Sequence, residues 1–447
     1  MFKLSKNIIK LFAVLPILFS HGIAQEKETY PTFANISEIN LYIDESDFFD
    51  LIRSSIFDQP EFDYSTSLTK EQEFNLKFAR RSRFPTISGN IINDESFERN
   101  ISDLSSVRKR RDDSFDANVE IRQPIYSGGQ INSLIKVARS KAKNASKEKQ
   151  EIISDLILTA NEIYINAMVG SFVADYGESL LNILIPYKEN VKDRVRAGIM
   201  DPVDSAVFNV RMNSLETLIS QLKSEAEKNR NRFKIFFKND MKRLAFPKIF
   251  VFGNQFNRSK ESYDVERAQY AYDEKKAEIG NVRSEYLPKF GISARYTKYD
   301  IDDDSNEDDI RGGLYMSVPI FSFGRGIARI NSAKSAAEAY RKSISIARKE
   351  DQEMEYKIIS DFNNAINNRE IFLNSFNDTL TQRKAVQDRL ELSGFVVNAF
   401  AEVIENEIAQ IKNLLSNETQ ILYGHLLILH QNQMLNNVFK IDLSNEY

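Results

Sequence analysis

The chain has 447 residues, with 60 Lys or Arg against 64 Asp or Glu and a net charge of -4. This balance argues against nucleic acid as a partner, because such a binder presents a strongly basic face. The 16 Gly and 10 Pro are few breaks for the length, so long uninterrupted elements are expected. The complete absence of Cys excludes disulfides and a lipidated N-terminal Cys.

In chain order, the first feature is an export signal. Lys3, Lys6 and Lys10 precede an apolar run over residues 11–19, and Gly22-Ile23-Ala24 supplies the small residues that signal peptidase requires. Cleavage is expected after Ala24. The run is too short to span a bilayer, and no other stretch reaches 18 consecutive apolar residues.

After a short helical region come two segments that alternate with period two. One is TISGNI (86–91). In the other, ANVEIR (117–122), Ala117, Val119 and Ile121 point one way while Asn118, Glu120 and Arg122 point the other. The turn QPIYSGGQ (123–130) follows, with Pro124, like Pro319 in the second half, expected at a strand end where a missing N–H costs little, and Gly129 just before a helix.

From residue 130 to 196 the period changes. Ile153, Leu156, Ala160, Ile163, Ala167, Gly170, Ala174, Gly177, Leu181 and Leu184 follow an unbroken 3,4 spacing, the rule for helices that supercoil. A helix of this span is about 100 Å long at about 1.5 Å per residue. Pro186 is expected to kink it. Beyond Gly198 a shorter helix returns, with Val207, Val210, Leu215, Leu218 and Leu222 on one stripe.

The same order then recurs. FGISARYT (290–297) and LYMSV (314–318) alternate like the first pair. VPIFSFGR (318–325) repeats the turn with Pro319 and Gly324, a long helix runs to about residue 392, and Gly394 stands where Gly198 stood. The last helix carries Ile404, Ile408, Ile411 and Leu415 on one stripe. Pro85 and Pro288 are 203 positions apart, Pro124 and Pro319 195, and Gly198 and Gly394 196. The chain is thus one half written twice: residues 25–245, with strands near 84–97 and 113–126 and helices near 130–196 and 201–237, then residues 246–447, with strands near 287–300 and 310–321 and helices near 325–392 and 397–435. Any one such strand would suit the edge of a soluble sheet equally well. Four at symmetric places in an exported chain favour a transmembrane sheet.

The loops between paired strands carry opposite charge. Arg108, Lys109, Arg110 and Arg111 lie in the first, and Asp302, Asp303, Asp304, Glu307, Asp308 and Asp309 in the second. Both read as solvated loops, and their attraction would hold neighbouring hairpins together. The run Asp300, Asp302, Asp304 opens like a calcium loop but fails at Ser305 and Arg311, where Gly and Glu are required. Catalysis has no candidate residues: His425 and His430, five apart, fall on different helix faces, and no nucleophile or phosphate-loop pattern is present. No cofactor or metal is expected.

A four-stranded sheet left open in lipid exposes two unpaired edges, so closure must come from other copies. Two copies give eight strands, whose side chains fill the bore, whereas three give twelve and leave a passage. The repeat, the strand starts SRFP (82–85) and SEYLP (284–288), the two Pro-Ile-aromatic-Ser turns, and the Gly tips together resemble the TolC-type outer-membrane efflux and secretion channels over nearly the whole mature chain. This resemblance implies a mainly α fold with a small β part: a homotrimeric twelve-stranded barrel in outer-membrane lipid, four strands per chain, continued by a long α-helical coiled-coil barrel into the periplasm. It implies a periplasmic adaptor (membrane fusion) protein and an inner-membrane pump or ABC transporter as partners. It places adaptor contact at Ala197, Gly198 and Ile199 and at Ser393, Gly394 and Phe395. It also implies acidic residues that narrow the mouth. Asp204 matches that site, but the second half has Phe400 and Val403 there with Glu402 adjacent, so an apolar constriction at Phe400 is expected in place of an acidic ring. A non-channel periplasmic coiled-coil scaffold is the competing reading, and small-molecule efflux and type I protein secretion both stay open.

Overall fold

The computed structural model describes residues 29–31, 42–43, 45–95, 113–239, 246–247, 250–252, 260–301, 307–393 and 396–441. The export signal, the basic loop 108–111, Asp302 to Asp304, Gly394 and Phe395 lie outside the described residues. The elements in chain order are β1 (Thr29–Pro31), β2 (Tyr42–Ile43), α1 (Glu45–Phe57), α2 (Pro60–Arg81), β3 (Thr86–Glu95), β4 (Asp113–Tyr126), α3 (Gln130–Arg196) and α4 (Pro202–Phe237). They continue with β5 (Phe246–Pro247), β6 (Phe250–Phe252), α5 (Tyr263–Ser284), β7 (Lys289–Lys298), β8 (Asp308–Ser317), α6 (Arg325–Ser393), α7 (Val397–Gln431) and α8 (Leu435–Val438).

Two compact units form, and neither is a half of the sequence. One comprises Met1–Ser55, Leu158–Ser259 and Lys357–Leu429, and the other Ile56–Ile157, Lys260–Tyr356 and His430–Tyr447. Each takes segments from both halves.

The first unit is a helical bundle. Every described residue of the predicted α3 seam in it is buried or partly buried, from Ala160 at 0% exposed to Leu184 at 0%. The small side chains do what a close-packed seam requires: Gly177 lies against Ile219 and Ile408, and a Cβ on Gly424 would come within 3.0 Å of the Phe362 ring. From α1, Phe48 sets its ring edge-on to Tyr164 of α3 at 5.0 Å. On α4 the expected face is corrected. Leu215 and Leu222 are buried as expected, but Val207 and Val210 are exposed, and in the first turns Phe208 and Met212 take their place on the buried stripe, which continues through Ile219 and Ala226. The α3 helix is continuous through Pro186 to Arg196.

The second unit carries the sheet, with order β3-β4-β7-β8 and every pair antiparallel. Here α2 packs beside the first part of α3, and α5 beside those of α3 and α6. A stretch of α3 is apolar and long enough to cross a membrane, but 67% of it is buried in the protein, which marks it as a core helix.

Candidate functional site: an apolar-faced sheet and two helix turns

The sheet register sorts side chains onto two faces. Ile87 is opposite Ile121, which is opposite Ala294; Val119 is opposite Tyr296, which is opposite Ile310; Ile292 is opposite Leu314, and Phe290 opposite Met316. On the other face Ser88, Glu120, Arg295 and Arg311 form one row, and Asn90, Asn118, Thr297 and Asp309 the next. The polar row is internally bonded: Glu120 accepts from Arg122 at 2.9 Å and Arg295 at 3.2 Å, and Arg311 pairs with Asp309.

In a water-soluble sheet the apolar face would be the covered one. Here Leu314 is 82% exposed, Ile310 77%, and Ile87 and Ile91 69% each. So large a bare apolar surface marks contact with lipid or another chain. Among the described residues, β3 and β8 each pair on one side only, leaving a row of backbone donors and acceptors at either edge.

The two strand-to-helix turns differ in detail. Pro124 lies within β4, opposite Gly291, and the register shifts between it and Tyr126. Pro124 is thus near the strand end, two residues before it, and its missing N–H is absorbed in a bulge. Pro319 lies two residues beyond the end of β8. At both turns glycine is required by the backbone: Gly129 has φ +86 and Gly324 φ +80, each one residue before its helix.

The turn after α3 is a Schellman cap. The Gly198 N–H donates to the Val195 carbonyl (3.1 Å) and the Ile199 N–H to that of Arg194 (2.9 Å), with Gly198 at φ +70. Asp201 then caps α4, accepting from the Val203 N–H at 2.7 Å, with Pro202 in the first turn. Ala197 and Ile199 are exposed at this tip. In the second turn Ser393 is the last residue of α6.

Of the residues expected at a narrowed mouth, Asp204 is exposed in the first turn of α4, and its backbone carbonyl accepts from Asn398 at 3.2 Å. Glu402 is exposed and paired to Arg211 at 3.0 Å, while Val403 is buried. Phe400 is 0% exposed, with its ring edge-on to Tyr187 at 5.9 Å. That ring belongs to the core of its own bundle and offers no surface to a passage.

Sequence reasoning missed a buried charge node. Glu407 of α7, 0% exposed, meets Arg383 of α6 at 2.8 Å and accepts from the Tyr176 hydroxyl of α3. Glu418 pairs with Arg369 at 2.5 Å in the same way. The signal was present: Glu407 stands three residues after Ile404 and four before Ile411, inside an apolar stripe.

A mainly helical chain with two long helices and an open, outward-apolar sheet of four strands has the TolC-type outer-membrane channel fold, as solved structures show. No family model matches the sequence, and no curated protein does. A membrane protein from Pseudomonas aeruginosa is similar at 11% identity and TM-score 0.74, covering 90% of this chain and 94% of that one. The Campylobacter jejuni CmeC outer membrane channel is similar at 11% identity and TM-score 0.68, covering 87% of each chain. The open-state MtrE outer membrane channel of Neisseria gonorrhoeae is similar at 16% identity and TM-score 0.62, covering 87% and 89%. At such identities the likeness is one of fold.

Proposed function

We propose that the chain is the outer-membrane subunit of an export conduit. Three copies join β8 of each to β3 of the next, closing a twelve-stranded barrel with the apolar rows toward lipid and the Glu120–Arg295 row toward the bore. The observation that carries this reading is the inverted sheet: apolar side chains bare on one face, ion pairs on the other, and at each edge a strand paired on one side only among the described residues. The fold shared with outer-membrane channels supports it.

In this reading the two sequence halves, 25–245 and 246–447, are a duplication, and the segment before residue 25 is an export signal. The turns at Ala197, Gly198 and Ile199 and at Ser393, Gly394 and Phe395 form the periplasmic end and meet an adaptor that couples to an inner-membrane pump. Asp204, Glu402 and Val403 lie beside that end. No bond is made or broken. Cargo, either a small molecule or a secreted protein, passes down its gradient, and the adaptor supplies the differential binding that favours an open end.

The test is the native mass and planar-bilayer conductance of detergent-extracted outer-membrane material. A trimer that conducts is expected. A monomer that is freely water-soluble and inert in bilayers would overturn the reading.

A further inference from the structure

The charges on the polar face of the sheet are ordered along its length. At the end where α2 and α5 lead in and α3 and α6 lead out, Lys289 opens β7, its amine held by the Gln130 side chain at 2.8 Å. The next charged rows are Thr86–Arg122–Ser293–Gly313 and Ser88–Glu120–Arg295–Arg311, which set three arginines against one glutamate. Acids without arginines follow only toward the far end, at Asp309, Asp116 and Asp94.

In every ion pair of this face the cation is the exposed member. The Glu120 side chain is 12% exposed, beneath Arg122 at 58% and Arg295 at 51%, and Asp309 is 32% exposed beside Arg311 at 77%. Arg122 also lies over the Tyr315 ring, 5.7 Å from its centroid, which holds its head at this level. Arg295 and Arg311 are direct cross-strand neighbours, a like-charge pair that weakens an antiparallel sheet. The fold does not require these charges. At the duplicate positions, offset by the 195 and 203 residues between the paired prolines, Arg122 becomes Ser317, Glu120 Tyr315, Arg295 Ile92 and Arg311 Asp116. An arrangement that costs stability, and that the repeat replaces in its other half, points to what passes over it.

We propose that Arg122, Arg295 and Arg311 form a cationic belt at the helix-side end of the bore, and that this belt selects solutes carrying carboxylate, sulfate or phosphate groups. This rests on the reading of the chain as a closed conduit and adds to it the charge class of the cargo. Each copy brings its arginines to the same short stretch of bore, between low-dielectric walls that concentrate their field. Guanidinium groups also match the planar, two-oxygen geometry of such anions. A solute leaving the helices meets the belt before the acids of the far end, so anions are drawn into the sheet and cations are turned back.

The test is the reversal potential of channels in planar bilayers under a potassium chloride gradient. Screened Coulomb interaction with one such charge from each copy, about one Debye length from the axis, changes the local concentration of each monovalent ion about twofold, in opposite directions. Arg311→Gln should therefore lower the chloride-to-potassium permeability ratio about fourfold. Arg122→Gln should lower it too, Glu120→Gln should raise it, and Arg311→Lys, which keeps the charge, should leave it near the parent value. Raising the salt from about 0.1 M to about 1 M should shrink these differences, because the Debye length falls from about 10 Å to about 3 Å. Merely structural arginines would not move the ratio in opposite directions for the two kinds of variant. Conducting channels with one ratio in the parent and in both arginine-to-glutamine variants would overturn the belt and leave the conduit standing. A parent that does not conduct would overturn the conduit itself, and the belt with it.

Discussion

Replacing Arg383 by Met should destabilise the helical unit by about 3–5 kcal/mol, the usual consequence of stranding a buried charge. Its partner Glu407 is 0% exposed, 2.8 Å away, and also bonded to Tyr176. At that distance two unit charges attract by about 6 kcal/mol at an effective dielectric of about 20. Taking both groups out of water costs several kcal/mol, so the intact pair is close to neutral against an apolar substitute. The broken pair is different, because the carboxylate has paid for dehydration and lost its counter-charge. Arg383→Met with Glu407→Met should therefore return to within about 1 kcal/mol of the parent, and Tyr176→Phe alone should cost about 1.5–3 kcal/mol, the loss of a hydrogen bond to a charged acceptor. The assay is urea unfolding followed by circular dichroism at one protein concentration in detergent, with midpoints compared at a common slope. A wild-type midpoint for Arg383→Met, or a double variant as unstable as the single, would refute the reasoning.

Three further outcomes follow from single features. His425 is 5% exposed, and burial pushes its pKa down to about 4. The unfolded chain takes up its proton near pH 6.5 and the folded one only near 4, so stability is full above about pH 6.5 and falls by about 3 kcal/mol as the pH drops to 4. Urea midpoints at several pH values should show that slope in the parent and a shallower one in His425→Asn. Gly198, at φ +70 with nothing within 4 Å of an added Cβ, should cost about 1–2 kcal/mol as Ala through backbone strain alone, and less as Asn; hydrogen exchange in the last turns of α3 reads this out. Leu314→Arg on the apolar face should cost about 2–4 kcal/mol of membrane stability and deplete folded protein from the outer-membrane fraction, whereas Thr297→Lys on the polar face should leave it unchanged.

How much of this was legible depended on whether a residue's neighbours lie near it in sequence. A strand declares itself by alternation, so all four strands and both faces of the sheet could be read from residues such as Val119, Ile121, Ile292 and Leu314. The long helices were equally plain, because a 3,4 spacing held over ten positions of α3 has no other physical reading. Boundaries set by local backbone chemistry were read less well. Both prolines were expected at strand ends: Pro124 lies two residues before the end of β4, in a bulge opposite Gly291 that no local pattern announces, and Pro319 lies two residues beyond β8.

Facing was misread where two stripes compete. In the first turns of α4, Val207 and Val210 compete with Phe208 and Met212, one and two residues further on, before both stripes merge at Leu215 and Leu222. The winner is the stripe with more area to bury, Phe and Met over two Val, and that choice depends on what α3 presents across the interface, which no local pattern contains. Phe400 was misread for the same reason: a ring near a helix start could line an opening or fill a core, and only Tyr187, 213 residues earlier in the chain, settles it. Glu407 shows the converse. A carboxylate at a core position announces a missing partner in the sequence itself, but the partner lies on a different helix, so the charge could be flagged from one stripe and explained only by three.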